Sequence, residues 1–133
     1  MTSGTTRRGV RHRREHGQAT AEVALLTPFL AMLVMLVVQV GLVVRDQVLV
    51  VHAAREAGRV AAVDPDMGRT VEAARSATVL DAGRLDVERS ARGRPGDTVT
   101  VTVTYRSPTR LPIVGALVDD VELTADATFR VEQ

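Results

Sequence analysis

Gly17-Gln18-Ala19-Thr20-Ala21-Glu22 is followed at once by an apolar run from Val23 to Val44, and this junction decides how the rest of the chain reads. At ~1.5 Å per residue the run forms a helix of roughly 33 Å, enough to cross a hydrocarbon core of about 30 Å. Its interruptions are Thr27, Pro28, Gln39 and Gly41. A membrane helix tolerates these because neighbouring groups re-satisfy polar or freed backbone atoms. Glu22 is different. An ionised carboxylate costs on the order of 2 to 3 kcal/mol or more near the bilayer centre and less toward the interface. At the head of a span it either lies in the headgroup layer or meets a positive charge in an assembled state.

Working outward toward the amino end, Arg7, Arg8, Arg11, Arg13 and Arg14 crowd the front, opposed there only by Glu15. By the positive-inside rule this end stays in the cytoplasm and the part after Val44 is exported. Met1 to His16 lacks apolar periodicity and reads as disordered. Such an Arg-rich tract suits nucleic acid or anionic lipid as well, but with a span directly behind it topology is the better account, and no nucleic-acid partner is expected. His12 and His16 have no third ligand, so no metal is expected. The chain has no cysteine, which removes disulfides and thiolate metal sites. A cleavable secretory signal would have an apolar core of about 7–15 residues ending at a small-x-small site. This run is too long, and Val51-His52-Ala53, which imitates such a site, lies beyond Arg45 and Asp46.

A basic leader, a glycine, and a glutamate five positions after it at the head of a long apolar helix resemble a type IV prepilin processing site. The segments GQATAEVALLTPFLAMLVMLVVQVG (17–41) and VHAAREAGRVAAV (51–63) resemble more closely the TadE-like proteins, minor pilins or pseudopilins of the Flp (tight adherence) pilus systems. The resemblance is specific over residues 17 to 63 and weaker in VTVTVTY (99–105) and LTADATFRVE (123–132). It implies a pilin-like α+β fold and a prepilin peptidase that cuts between Gly17 and Gln18, making Glu22 the fifth residue of the mature chain. The new amine on Gln18 would pair with Glu22 of a neighbouring subunit. Implied partners are that peptidase, other pilin or pseudopilin subunits, the inner-membrane pilus assembly platform and membrane lipid, with no cofactor. The alternative, from another class, is a signal-anchored exported binding domain that is never cleaved and never assembles.

Beyond Arg45 the helical pattern continues. Val48, Val51, Arg55, Gly58 and Ala62 recur at three- and four-residue steps, with Arg45, Asp46, Glu56 and Arg59 on other faces. Asp64-Pro65-Asp66 ends the rod at Val63, since proline removes a donor and disfavours helix before it. Ala53, Ala54, Ala57, Gly58, Ala61 and Ala62 permit close packing against the protein's own sheet or a neighbouring rod, or simply raise helix propensity. Pro28 deletes the hydrogen bond to the Ala24 carbonyl and is expected to kink or loosen the helix. The organisation is therefore a leader over 1–17, a transmembrane and amphipathic helix over 18–63, and a small exported domain over 64–133.

In that domain Thr70 is expected to cap a short helix that Gly83 stops. Leu85, Val87 and Arg89 alternate weakly, and Arg92-Gly93-Arg94-Pro95-Gly96-Asp97 reads as a turn. Val99, Val101, Val103 and Tyr105 alternate with threonines, and Val121 to Val131 forms a last strand. Three one-sided strands predict a small antiparallel sheet on the rod, and a region of this size needs the rod for stability. Between the last two strands, 108–118 is apolar for a loop, which points to burial or membrane contact ahead of a partner patch. His52 and the Asp119-Asp120 pair carry no relay or ligand series, so a structural role rather than catalysis is expected.

Overall fold

The structure is a computed structural model that describes residues 12–109 and 119–132, the side chains of 12–19 and 21 excepted. It divides into two compact units between Val37 and Val38. The first is the front of helix α1, and the second holds the rest of α1 and everything that follows. Helix α1 runs His12–Val63, α2 Met67–Ser76, and a 3-10 turn Ala82–Arg84 leads into strands β1 Leu85–Arg89, β2 Thr98–Ser107 and β3 Val121–Arg130. The fold is α+β: a long apolar helix packed on a three-stranded antiparallel sheet of order β1-β2-β3.

Helix α1 begins earlier than the sequence suggested. His12–His16, read as disordered, are helical, and the helix runs on through Gly17 into the apolar run; Met1–Arg11 lie outside the described residues. The helix ends at Val63 as predicted, and its end is well satisfied. The Asp64 N–H bonds the Val60 carbonyl at 2.8 Å, the Glu132 N–H bonds the Ala62 carbonyl at 3.1 Å, and Arg92 reaches the Ala62 and Val63 carbonyls at 3.1 and 3.2 Å. These groups answer the orphan carbonyls that every helix leaves at its C-terminus.

The core-facing stripe of α1 takes in the small residues expected to pack closely, Ala53, Ala54, Ala57, Gly58, Ala61 and Ala62, but not Val48 or Arg55. Val48 is 64% exposed and Arg55 also faces solvent. From Arg45 onward the buried side chains are Asp46, Val50, Ala53, Ala54, Ala57, Ala61 and Ala62, spaced at helical three- and four-residue steps. They meet Val99, Val101, Val103 and Tyr105 of β2, with Leu85, Val87, Leu123, Ala127 and Val131 completing the core. Small residues line the helix because the sheet comes close: a Cβ on Gly58 would lie 2.6 Å from Cδ2 of Phe129.

Helix α2 is capped by Asp66, not Thr70. The Asp66 carboxylate accepts from the Gly68 N–H at 2.9 Å, as an N-cap does, while Thr70 is buried one turn in and its hydroxyl reaches the Asp66 carbonyl at 3.3 Å. The helix ends at Ser76, and Gly83 sits in the later 3-10 turn behind its own cap, Asp81. The strands fall where the alternation put them. Arg94-Pro95-Gly96-Asp97 closes through the Asp97 N–H to the Arg94 carbonyl at 2.9 Å, with Gly96 at φ 96°. That φ is open to glycine and suits the third position of a type II turn after proline. On the outer face β2 and β3 are tied by side chains across the register. Thr100 pairs with Thr128 at 2.8 Å, and the Thr102 hydroxyl donates to Asp126 at 2.7 Å. Of the apolar 108–118 segment, Pro108 and Thr109 are described and 110–118 lie outside the described residues.

Candidate functional site

The candidate site is the front of α1. Gly17 and Gln18 both lie within the helix, so the bond between them sits in helical backbone. Glu22 is exposed, one residue before the apolar run. From Val23 onward the side chains are open: Leu25 is 78% exposed, Phe29 67% and Val37 65%. A surface this apolar on a helix of this length suits hydrocarbon or the faces of neighbouring helices, not water. The stretch from Glu22 is long and apolar enough to cross a membrane.

Pro28 lies inside α1, and the helix assignment continues through it. The adjacent Thr27 hydroxyl donates to the Val23 carbonyl at 2.8 Å, one residue before the Ala24 carbonyl that the proline leaves without its amide donor. At Gly41 a Cβ would meet open space; packing among the described residues does not demand the glycine.

Two polar residues near the end of the apolar run were not foreseen as buried. Gln39 is 7% exposed and Asp46 1%, seven residues apart and so on nearly one face of the helix. The Ser107 hydroxyl donates to Oδ2 of Asp46 at 2.8 Å. Its Oδ1 faces the Arg45 guanidinium at 3.6 Å, beyond hydrogen-bonding distance, and Oε1 of Gln39 has no hydrogen-bond partner among the described residues. The signal that could have found Asp46 is its position four residues before Val50 and seven before Ala53, in line with the alanine stripe. Further along, Glu56 and Arg59 form an exposed ion pair at 2.6 Å, worth little in solvent. Among the described residues no three His, Cys, Asp or Glu side chains converge as a metal site requires.

One family matches by sequence: TadE-like protein, over residues 17–59. No curated protein and no solved structure matches the chain. The matched segment opens on Gly17, includes Glu22, Pro28, Gln39 and Asp46, and stops within the alanine-lined part of α1. Along that segment, from Gly17 to Arg59, the chain is similar to TadE-like protein.

Proposed function

We propose that this protein is a pilin-like subunit that supports assembly of a Tad-type pilus. The observation that carries the reading is the coincidence of the TadE-like match over 17–59 with one helix whose front half is apolar and uncovered. In this reading Val23–Val44 anchors the precursor in the cytoplasmic membrane, the arginine-rich end stays in the cytoplasm, and the sheet is exported. A prepilin peptidase cuts between Gly17 and Gln18. Because proteases act on extended backbone, the helical turn around that bond must open for cleavage, and Gly17, a poor helix former, lowers the cost of opening it.

Cleavage creates a cationic amine on Gln18 four residues before Glu22. Two such charges in apolar surroundings are costly apart and offset each other when paired. Within one straight helix the amine and its own carboxylate are a turn apart; in an array of parallel helices the amine of one subunit reaches Glu22 of the next. The exposure of Glu22 supports this, since it leaves the carboxylate open to a group from outside. Pro28 then softens the helix just beyond the pair, where subunits must adjust as they leave the bilayer for a filament.

The experiment is the intact mass and N-terminal residue of the membrane-extracted protein, with and without the peptidase. A mature chain beginning at Gln18 only when the peptidase is present supports the processed subunit; a chain retaining its leader under both conditions leaves a permanent signal anchor instead. In the same strain Glu22→Ala should insert normally yet reduce incorporation into pili, and undiminished piliation would remove the charge-pairing step.

A further inference from the structure

Outside α1, Val79 is the one large apolar side chain left open among the described residues, at 80% exposure. It lies between α2 and the 3-10 turn and lines a groove with Arg45, Leu80, Asp81, Arg84, Tyr105 and Pro108, where Asp81 faces Arg84 at 3.9 Å. The connectivity places this groove at one end of the second unit. At the opposite end the Glu132 N–H meets the Ala62 carbonyl, and the Gly96 N–H meets the Val131 carbonyl. At the groove end Ser107, closing β2, reaches Asp46. Strand β2 therefore runs back along α1 toward the point where the apolar run gives way to Arg45.

Arg45 follows Val44 directly, and Val38–Val44 belong to the same compact unit as the groove. If the run fills the hydrocarbon, Arg45 stands at its boundary, where an arginine stem stays in apolar surroundings and its head seeks water and phosphate. Val79 and Leu80 share the groove with that residue and so lie at the same depth. Arg84 is already engaged by Asp120 at 2.8 Å. Arg45, half exposed and only loosely paired with Asp46 at 3.6 Å, is the guanidinium on offer. An open valine beside an available cation at the mouth of a membrane span has the chemistry of an interfacial contact.

We propose that the groove end of the exported unit docks on the phospholipid headgroup layer of the membrane that α1 crosses, with Val79 entering the upper acyl region and Arg45 meeting lipid phosphate. The contact fixes the sheet against the bilayer and must be broken before the subunit leaves it. It rests on the reading of Val23–Val44 as a span.

The chain has no tryptophan, so single-tryptophan variants report without background. Full-length Val79→Trp, Phe29→Trp and Arg94→Trp proteins are placed in phosphatidylcholine and phosphatidylglycerol vesicles with and without brominated acyl chains. Arg94 is exposed in the β1–β2 turn at the far end. Expected is strong quenching of the F29W reporter, blue-shifted emission and a roughly twofold loss for V79W, and no change for R94W. Quenching of F29W with V79W no more quenched than R94W overturns the docking and leaves the span standing. An unquenched F29W overturns both. A V79W blue shift that grows with the protein-to-lipid ratio without quenching makes a second copy the occupant and overturns the lipid contact.

Discussion

The Ser107 hydroxyl donates a 2.8 Å hydrogen bond to the carboxylate of Asp46 across 61 residues of chain, with both groups buried. The bond joins the end of β2 to α1 just beyond the apolar run. It fixes where the sheet sits along the helix, because sliding the sheet by one residue would strand a carboxylate in the core. A hydrogen bond to a charged group contributes about 1.5–3 kcal/mol, and a buried charge that loses its partner costs more. Ser107→Ala should therefore destabilise the fold at least as much as Asp46→Ala. The double variant should lose less than the sum of the two, with a coupling of about 1–3 kcal/mol. Chemical unfolding of the four proteins in one detergent measures this, and additive losses would show that the bond does not hold the register.

Gly58 and Phe129 make a second contact whose sign can be tested. A Cβ at position 58 would stand 2.6 and 2.7 Å from the Phe129 ring and 3.3 Å from Cβ of Ala127. Alanine gains about 1 kcal/mol over glycine in a helix interior, while overpacking costs typically 1–3 kcal/mol. Gly58→Ala should destabilise the protein carrying Phe129 and stabilise one already carrying Phe129→Ala, where the ring is gone. The same sign in both backgrounds would mean that the ring swings aside at little cost.

These two contacts mark where sequence reading succeeded and where it stopped. The strands were legible because Val99, Val101, Val103 and Tyr105 alternate with threonine, and a period of two has one structural meaning. The long apolar helix was legible because a run as apolar as Val23 to Val44 has few other uses. The inner face of α1 was legible in part: Ala53, Ala54, Ala57, Gly58, Ala61 and Ala62 were read as a surface able to pack closely on the sheet, and they do, but the stripe was also drawn through Val48, Val51 and Arg55, the larger side chains. The sheet approaches so closely that alanine and glycine line the contact, and burial there follows volume as much as hydrophobicity. Asp46 reads as a solvent residue until Ser107 arrives from the far end of the chain. The cap of α2 was misplaced by one turn because Asp66 and Thr70 are both capping types, and only the Gly68 N–H decides between them. Glu22 is legible as an anomaly in sequence and is exposed in the structure.

The C-terminus of α1 gives the last prediction. Arg92 donates to the Ala62 and Val63 carbonyls, and Arg89 donates to the Pro65 carbonyl at 3.0 Å. Two guanidinium groups from the end of β1 and the turn after it thus meet the negative end of the helix, where a cation contributes about 0.3–1 kcal/mol beyond its hydrogen bonds. Arg92→Ala should lower stability by about 1–2 kcal/mol. It should also speed amide exchange at Asp64 and Glu132, whose N–H groups bond the Val60 and Ala62 carbonyls in the same turn. Arg92→Lys keeps the charge but not the planar guanidinium whose Nη2 donates to both carbonyls, so it should recover stability only in part. Arg94→Ala, two residues on and exposed, should leave both amides protected. Equal exchange in the R92A and R94A proteins would mean that the backbone bonds close the helix by themselves and that Arg92 merely lies across its end.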